Sequence, residues 1–347
     1  MRVERRGRLR GTGSPASFER LALRIGGRRV RAVLKVMAPD ELSPPRERRF
    51  YAELAREVGA RVPDPFATGD LDGSADGWVL IEELPPRKPR AAWTRDDVLA
   101  CGRELAKLHA RHLGRAPDWL PRPLTRDAVA FLAHVPAGVA RLRAFVAERP
   151  AWRWFAPEPA LSLAESLARA PASLAQALAR SPETVIHRDS HAGNFALPHA
   201  GRPILFDWEL VSAGAPIFDL TLFFQYLGWV WWRLPWLGIE TSRCRPPPLA
   251  WEELFDTYLR QLENETSGRV DADAIAAAEP AARVWEAVYR MGWIERQLGQ
   301  SAGWMGAARS GLPMLGAFAR WRVGHAGLES RASLWADLER FGPRFLP

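Results

Sequence analysis

The chain has 347 residues, of which 47% are hydrophobic and 25% charged, a composition typical of globular proteins and unlike that of disordered, collagen-like or fibrous chains. Cys101 and Cys244 are its two cysteines, too few for a disulfide framework, which favours a reducing, cytoplasmic location. The most apolar window, residues 220–232, is shorter than a membrane span and contains Gln225. We therefore expect no targeting segment and no membrane association.

The net charge of +8 is the feature that would favour nucleic-acid binding. It is unevenly distributed, because residues 1–90 contain 19 basic and 13 acidic residues whereas residues 181–310 contain 11 basic and 16 acidic ones. Nucleic-acid binding needs a continuous basic surface. We therefore expect no nucleic-acid partner, and the chain gives no prediction of oligomeric state.

The first predicted elements are strands. Residues 17–25 and 29–37 are apolar segments that partly alternate with polar residues and are separated by Gly26–Gly27, which is typical of a tight β-hairpin. Apolar residues then recur every four positions in residues 46–58, which predicts a helix that ends at Gly59. A further strand is predicted over residues 79–81.

A proline-rich connector divides the chain. Residues 83–90 contain three prolines and are too rigid for a helix, so we predict an N-terminal lobe over 1–84, a connector over 85–91 and a helical lobe over 92–347. The capping-box pair Thr94 and Asp97 opens the first helix of that lobe. Helices are predicted over 94–112, 126–147, 161–180, 217–233, 250–264, 271–299 and 312–340.

Two short apolar runs in the second half each lead into polar residues. Residues 184–186 precede HRDSHAGN (187–194), and residues 203–206 precede Asp207. We predict that both runs are strands and that they bring Asp189, Asn194 and Asp207 to one place. A carboxylate that orients and deprotonates a hydroxyl, with an amide oxygen and a second carboxylate for Mg²⁺, is sufficient for phosphoryl transfer.

A kinase-type site also needs a lysine on a strand and a glutamate on the following helix. Lys35 lies in the predicted strand 29–37, and Glu47 lies in the predicted helix. For Glu47 a solvated helix charge is the alternative interpretation. For His187 and His191, zinc ligation is the alternative, and we favour hydrogen-bonded support of the loop.

The HRDSHAGN (187–194) and FDWE (206–209) motifs resemble those of the aminoglycoside phosphotransferase and choline kinase superfamily. The resemblance covers most of the chain. It implies an α+β, protein-kinase-like fold with a small antiparallel β-rich N-terminal lobe and a larger, mainly helical C-terminal lobe. It also implies ATP- and Mg²⁺-dependent transfer of the γ-phosphoryl group to a small-molecule hydroxyl, with GTP as an alternative donor.

The resemblance assigns a role to each matching residue. Asp189 would be the catalytic base, Asn194 and Asp207 would bind Mg²⁺, and Lys35, paired with Glu47, would bind the phosphates. Support of the catalytic loop is assigned to His187, His191 and Asp219, and nucleotide contacts to Gly11, Gly13, Ser14, Glu82 and Glu83.

Two departures from the family pattern concern the nucleotide loop and the acceptor. Residues 11–17 lack the third glycine of a G-x-G-x-x-G phosphate loop, so a plain turn is equally compatible with them. Arg188 replaces the glycine usual in antibiotic kinases, which puts the acceptor class in doubt.

Three acceptor classes stay open. The acidic balance of residues 181–310 would suit a cationic amino sugar, and antibiotic resistance would then be one role. The aromatic residues of 223–236 would suit choline or another amino alcohol, with buried packing as the alternative, and a non-antibiotic sugar is the third class. A nucleotide-binding pseudokinase is the non-enzymatic alternative, although none of its usual losses of lysine, base or metal aspartate is present.

Overall fold

A β-hairpin organises the N-terminal region. In the computed structural model, β2 (Ser17–Ile25) and β3 (Arg28–Met37) pair in antiparallel register. Gly26 and Gly27 in the turn have φ values of 54° and 81°, a left-handed conformation that glycine adopts without a steric cost. The predicted hairpin is confirmed, and Lys35 lies on its second strand opposite Phe18.

The structure describes residues 2–9, 17–37, 46–70, 77–148, 157–227, 249–291 and 336–346. The candidate nucleotide residues Gly11, Gly13 and Ser14 lie outside these ranges. So do residues 228–236 of the aromatic segment 223–236, residues 292–299 of the helix predicted over 271–299, and most of the helix predicted over 312–340, residues 312–335.

Three further strands complete a five-stranded antiparallel sheet in the order β1-β2-β3-β5-β4. They are β1 (Arg2–Leu9), β4 (Pro65–Asp70) and β5 (Gly77–Glu82). The strand predicted over 79–81 is confirmed as part of β5. The two edge strands were not predicted, because β1 is arginine-rich with no apolar alternation and β4 begins at a proline.

The helix after β3 is shorter than its apolar pattern predicts. Helix α1 (Arg46–Glu53) stops before Leu54, and the chain continues through turns to Gly59. Leu54 and Val58 are nevertheless buried. The apolar repeat therefore predicted the buried side chains correctly. It predicted a helix about one and a half turns too long, because residues in turns can bury the same side chains.

Helices dominate the rest of the described chain. The predicted capping box is confirmed, because Asp97 N–H donates to Thr94 Oγ1 and Thr94 N–H donates to Asp97 Oδ2. The helices predicted over 126–147 and 161–180 are each two helices. The described helices are α2 (Arg95–Arg111), α3 (Ala128–Leu132), α4 (Val135–Glu148), α5 (Glu158–Arg169), α6 (Ala172–Ala179), α7 (Ile217–Gln225), α8 (Trp251–Thr266), α9 (Ala272–Ala277), α10 (residues 279–291) and a last turn at 336–341.

One described stretch, residues 128–148, is long and apolar enough to cross a membrane by length and composition alone. Core helices of soluble proteins pass the same test. In this fold the stretch is α3 and α4, whose Leu132, Val135, Val139 and Leu142 are buried in the main core. Only 29% of the window is buried, so packing in the core accounts for part of its apolar composition.

Four short strands frame the polar motifs: β6 (Thr184–Ile186), β7 (Phe195–Ala196), β8 (Ile204–Leu205) and β9 (Ser212–Gly214). Both apolar runs are strands, as predicted. They do not form one hairpin with each other, because β6 pairs with β9 and β7 pairs with β8. Residues 187–194 thus connect two small sheets, and Asp207 follows β8 closely.

Candidate active site

Lys35 is a buried lysine that lies among three carboxylates. Its Nζ is 2.6 Å from Glu47 Oε2, 2.8 Å from Asp207 Oδ1 and 3.9 Å from Glu209 Oε2. Strand β3 supplies the lysine and α1 supplies Glu47, and both side chains are almost fully buried. The strand and helix predicted to present this pair do bring it together.

The carboxylates determine the charge state of Lys35. Burial acts to lower the pKa of the ammonium group, but Glu47 and Asp207 outweigh it and raise that pKa well above its usual value. The lysine is therefore charged at neutral pH. A charged ammonium with three donors is a suitable ligand for phosphate oxygens.

The loop 187–194 carries Asp189 and Asn194, and the two side chains are in direct contact. Asn194 Nδ2 donates to the carbonyl of Asp189 at 2.8 Å and to its Oδ2 at 2.9 Å. These two bonds fix the orientation of the amide, so the Asn194 Oδ1 is left for another ligand. Burial would raise the pKa of Asp189, but the surrounding His191, Arg290 and His187 and the Asn194 amide hold it below its usual value.

Two histidines hold the loop through hydrogen bonds. His187 Nδ1 accepts from the backbone N–H of Asp189, so its proton is on Nε2, which donates to the carbonyl of Phe206 at 2.9 Å. His191 Nδ1 accepts from Gly193 N–H at 2.8 Å, and its Nε2 lies 3.5 Å from Asp189 Oδ2. Among the described residues, no group of three or more His, Cys, Asp or Glu side chains is placed to hold a metal ion.

Asp219, in the first turn of α7, anchors the start of the loop. Its Oδ2 accepts from His187 N–H at 2.6 Å and its Oδ1 from Arg188 N–H at 2.7 Å. Its backbone carbonyl accepts from Ser190 Oγ. His109 Nε2 donates to the same carboxylate at 3.2 Å, and Tyr258 Oη lies 2.8 Å from His109 Nδ1. A fully buried network from α2, α7 and α8 thus supports residues 187–190.

Asp207 is held in a strained backbone conformation by the tryptophan that follows it. Its φ is 68°, which is uncommon for a non-glycine residue. Trp208 is fully buried, stacks on Phe50 of α1 with ring centroids 3.9 Å apart and contacts His187 at 4.5 Å. This packing couples Asp207 to the helix that carries Glu47.

The donor set around Asp207 fits Mg²⁺. The Asn194 Oδ1 and the Asp207 carboxylate supply the hard oxygen ligands that this ion prefers, and Mg²⁺ usually takes few protein ligands and completes its shell with water and phosphate. Burial and then the Asp207 carboxylate raise the pKa of Glu209 to about 7. The site therefore concentrates more negative charge than Lys35 neutralises.

Two arginines near Asp189 were not assigned a function from the sequence. Arg188 is buried at a φ of 65°, with its guanidinium over the rings of Phe131, Trp285 and Tyr289 at 4.6, 5.4 and 4.9 Å. Arg290 Nη2 lies 3.3 Å from Asp189 Oδ1. No local signal identifies Arg290, because it lies 101 residues from its partner.

The connector lies against the loops of the helical region. Lys88 N–H donates to the carbonyl of Leu197 at 2.7 Å. Glu83 N–H donates to the carbonyl of Arg31, and its side chain pairs with Arg20 at 2.6 Å. Glu82 Oε2 accepts from Asp64 N–H at 3.4 Å. Both carboxylates thus have partners within the protein, and contacts of Glu82 and Glu83 with a nucleotide stay a prediction.

Known structures share this two-lobed architecture. A choline kinase from Cryptosporidium parvum Iowa II matches with a TM-score of 0.56 and 13% identity, over 97% of this chain and 93% of that chain. A spectinomycin phosphotransferase in complex with ADP and spectinomycin matches with a TM-score of 0.53 and 11% identity, over 96% and 94%. A choline kinase from Streptococcus pneumoniae gives 0.50 and 13%, over 94% and 93%. These similarities confirm the predicted α+β, protein-kinase-like fold.

A comparison with curated protein sequences gave no match. A family model described as "Phosphotransferase enzyme family" matches residues 8–240. That range includes Lys35, Glu47, the loop 187–194 and Asp207. The match confirms the predicted superfamily and enzyme class, a phosphotransferase with a hydroxyl group as acceptor, and the chain belongs to the phosphotransferase enzyme family.

Proposed function

We propose that the protein is an ATP- and Mg²⁺-dependent kinase of small molecules, which transfers the γ-phosphoryl group to a substrate hydroxyl. The observation that carries this proposal is the arrangement of two pairs of side chains on linked backbone, since the N–H of Phe206, next to Asp207, donates to the carbonyl of Asn194 at 3.0 Å. A charged lysine lies 2.8 Å from the metal-site candidate Asp207, and the candidate base Asp189 lies 2.9 Å from the amide of Asn194. The family match supports phosphoryl transfer as the reaction.

Lys35 would bind the α- and β-phosphates. Glu47 holds the ammonium group at the end of β3, so the lysine needs no reorganisation before it meets the nucleotide. ATP is the proposed donor, with GTP as the alternative to be compared. The ADP in the spectinomycin phosphotransferase structure supports a purine nucleotide in this fold.

Asn194 and Asp207 would hold Mg²⁺, which when bound neutralises the charge that develops on the phosphate oxygens. Asp207 would exchange part of its contact with Lys35 for this role. Trp208 keeps its backbone in place through the stack on Phe50.

Asp189 would accept a hydrogen bond from the acceptor hydroxyl and take its proton as the bond to phosphorus forms. Its Oδ2 already accepts from Asn194 and faces His191. Its Oδ1 makes a longer contact, 3.3 Å from Arg290 Nη2, and we propose that the hydroxyl approaches this more weakly engaged oxygen. Most of the catalytic effect would come from alignment of this hydroxyl with the γ-phosphoryl group.

The acceptor is proposed at the level of class. A cationic amino sugar, an amino alcohol such as choline and a neutral sugar are the candidates, and the names of the similar structures include both aminoglycoside-type and choline kinases. The described aromatic cage beside the loop, formed by Phe131, Trp285 and Tyr289, is already filled by Arg188. It is therefore not the site for a quaternary ammonium group. We also propose a cytoplasmic location, supported by the sparse cysteines and the buried free thiol of Cys101.

The test is ATP turnover with a panel of aminoglycosides, macrolides, choline, ethanolamine and simple sugars. We expect acceptor-dependent, Mg²⁺-dependent turnover by the wild-type protein. Asp189→Asn and Asp207→Ala should each lower kcat by about 10³-fold or more while the protein stays folded, because the first removes the proposed base and the second a proposed metal ligand.

Asp118→Asn is the matched control. The Asp118 carboxylate is fully exposed, and its ion pair with Arg122 is long, at 3.9 Å. The variant should retain wild-type turnover. Near-wild-type turnover by Asp189→Asn would overturn the assignment of the base. A wild-type protein that binds Mg²⁺-nucleotide with no turnover on any acceptor would instead favour the pseudokinase alternative.

A further inference from the structure

Asp189 has a partner on the side opposite Asn194. Arg290, in α10, places Nη2 3.3 Å from Asp189 Oδ1, whereas Asn194 and His191 lie on Oδ2. The guanidinium therefore touches the oxygen that the proposed mechanism reserves for the acceptor hydroxyl. A side chain in this position affects the direction in which that oxygen points.

Arg290 is itself held in place from two sides. Its Nε donates to Glu286 Oε1 at 2.5 Å, one helical turn earlier in α10. The same Oε1 accepts from Tyr226 Oη at 2.9 Å. The guanidinium also lies over the Tyr226 ring, 5.2 Å from its centroid. All three side chains are nearly buried, so little rotational freedom is left to the arginine.

Tyr226 supports both neighbours of the carboxylate. Its ring stacks on His191 with centroids 6.2 Å apart and an angle of 26°, and it also carries Arg290. His191 faces Asp189 Oδ2 and Arg290 faces Oδ1. One buried ring thus fixes the groups on both oxygens of the candidate base.

On the basis of the proposed function, we propose that Arg290 is a positioning residue for phosphoryl transfer. Together with Glu286 and Tyr226, it holds the Asp189 carboxylate in the orientation in which Oδ1 can meet the acceptor hydroxyl. Asp189 needs such support because it lies in a loop and follows Arg188, whose φ is 65°. Small errors in the placement of a reacting group are costly for kcat.

The same helix contains a matched control. Arg283 is as buried as Arg290, with 10% against 11% of its side chain exposed. It also pairs with a glutamate one turn earlier, Glu279, and its guanidinium lies over an aromatic ring, Trp251. Its third contact, at 3.3 Å, is Asp337. Arg283 therefore reproduces the structural contacts of Arg290 without a contact to Asp189.

The experiment compares Arg290→Met, Arg290→Lys and Arg283→Met in steady-state kinetics with the acceptor found in the panel. We expect kcat of Arg290→Met to fall by about 10- to 100-fold, with KM for ATP changed by less than about twofold. Arg290→Lys keeps the charge and should recover part of the loss. Arg283→Met should keep kcat within about twofold of the wild type, even if its Tm falls as far as that of Arg290→Met.

Hydrogen exchange of the peptide that contains residues 187–194 gives a readout that does not depend on turnover. Exchange should be faster in Arg290→Met than in the wild type and unchanged in Arg283→Met. Equal kcat and equal exchange in the two methionine variants would overturn the positioning role while the kinase function stands. Faster exchange in Arg290→Met, in a protein that turns over no acceptor, would support the clamp on the loop and refute the proposed function.

Discussion

Two residues of the site occupy a backbone region that ordinary side chains avoid. Arg188 and Asp207 have φ values of 65° and 68°, each at a cost of roughly 1–2 kcal/mol for a non-glycine residue. Arg188 is retained by its N–H bond to Asp219 and by the aromatic rings around its guanidinium. Asp207 is retained by the buried Trp208. Strain of this kind persists only where the surrounding structure over-determines the conformation. Here it occurs both in the loop that carries Asp189 and at Asp207.

The pKa of Glu209 predicts a pH-dependent stability. Burial and the Asp207 carboxylate raise it from 4.5 to about 7. Because the folded protein binds this proton more tightly than the unfolded chain, the associated stability is fully present below about pH 4.5 and is lost as the pH rises through about 7. Glu209→Gln should therefore become more stable than the wild type as the pH rises from 5 to 8. Since 47% of the side chain is exposed, solvent screening limits the gain to about 1 kcal/mol.

Thermal unfolding across this pH range, without metal or nucleotide, measures the effect. The difference in Tm between Glu209→Gln and the wild type should grow with pH. Parallel Tm profiles for the two proteins would show that Glu209 is already ionised at pH 5.

At the scale of elements, the N-terminal region and the first long helix meet through backbone groups. Gly59, after the turns that follow α1, has a φ of 73°, and a Cβ at this position would lie 2.8 Å from the carbonyl oxygen of Lys107 in α2. Its own carbonyl accepts from Arg202 Nη2 at 3.0 Å. This contact joins the segment after α1 to α2, and a backbone atom cannot move aside as the tip of a flexible side chain can.

Gly59→Ala should therefore destabilise the protein more than the same replacement at a glycine where alanine causes backbone strain but no steric clash. Gly114 is the matched control, because its φ is 74° and no atom lies within 4 Å of a Cβ built on it. Both variants should lose roughly 1–2 kcal/mol from the left-handed backbone, and Gly59→Ala should lose about 1–3 kcal/mol more from overpacking. Denaturant unfolding measures both free energies, and equal losses would mean that α2 moves freely at this point.

At the scale of the whole molecule, the two regions meet at the candidate site. Lys35 from the sheet contacts Asp207 from the helical region, and Phe50 stacks on Trp208. The connector adds the hydrogen bond from Lys88 to Leu197. A nucleotide held by Lys35 and Asp207 would therefore contact both regions, and its binding would stabilise the molecule as a whole.

Mg²⁺-nucleotide should accordingly raise the Tm of the wild-type protein. At a concentration 100 times Kd the stabilisation is about 2.7 kcal/mol, or about 4 °C for a chain of this length. Lys35→Met should lose this shift, because the carboxylates of Glu47 and Asp207 then face the phosphates without a cation. Lys88→Met, which breaks only the partly exposed pair with Asp97, should retain it. An equal shift in the two variants, measured by differential scanning fluorimetry, would contradict phosphate binding by Lys35.

Many features of this protein could be predicted from its sequence, because they depend on interactions between residues close together in the chain. The Gly26–Gly27 turn, the Thr94–Asp97 capping box and the strand at 79–81 depend on neighbouring residues and were predicted. The pairing of Lys35 with Glu47 and the grouping of Asp189 with Asn194 were also predictable, because a phosphoryl-transfer site needs few residue types in a fixed chain order. The helix after β3 was overestimated because burial and helical geometry share one apolar pattern.

Tertiary structure decided what depends on contacts between distant positions. The pairing of β6 with β9 and of β7 with β8 could not be read from strands of two or three residues, because such strands carry no register signal. The His109–Tyr258 contact and the Arg290–Asp189 contact join residues 149 and 101 positions apart. Such residues come together when whole helices pack against each other, so the sequence around each residue does not predict the contact.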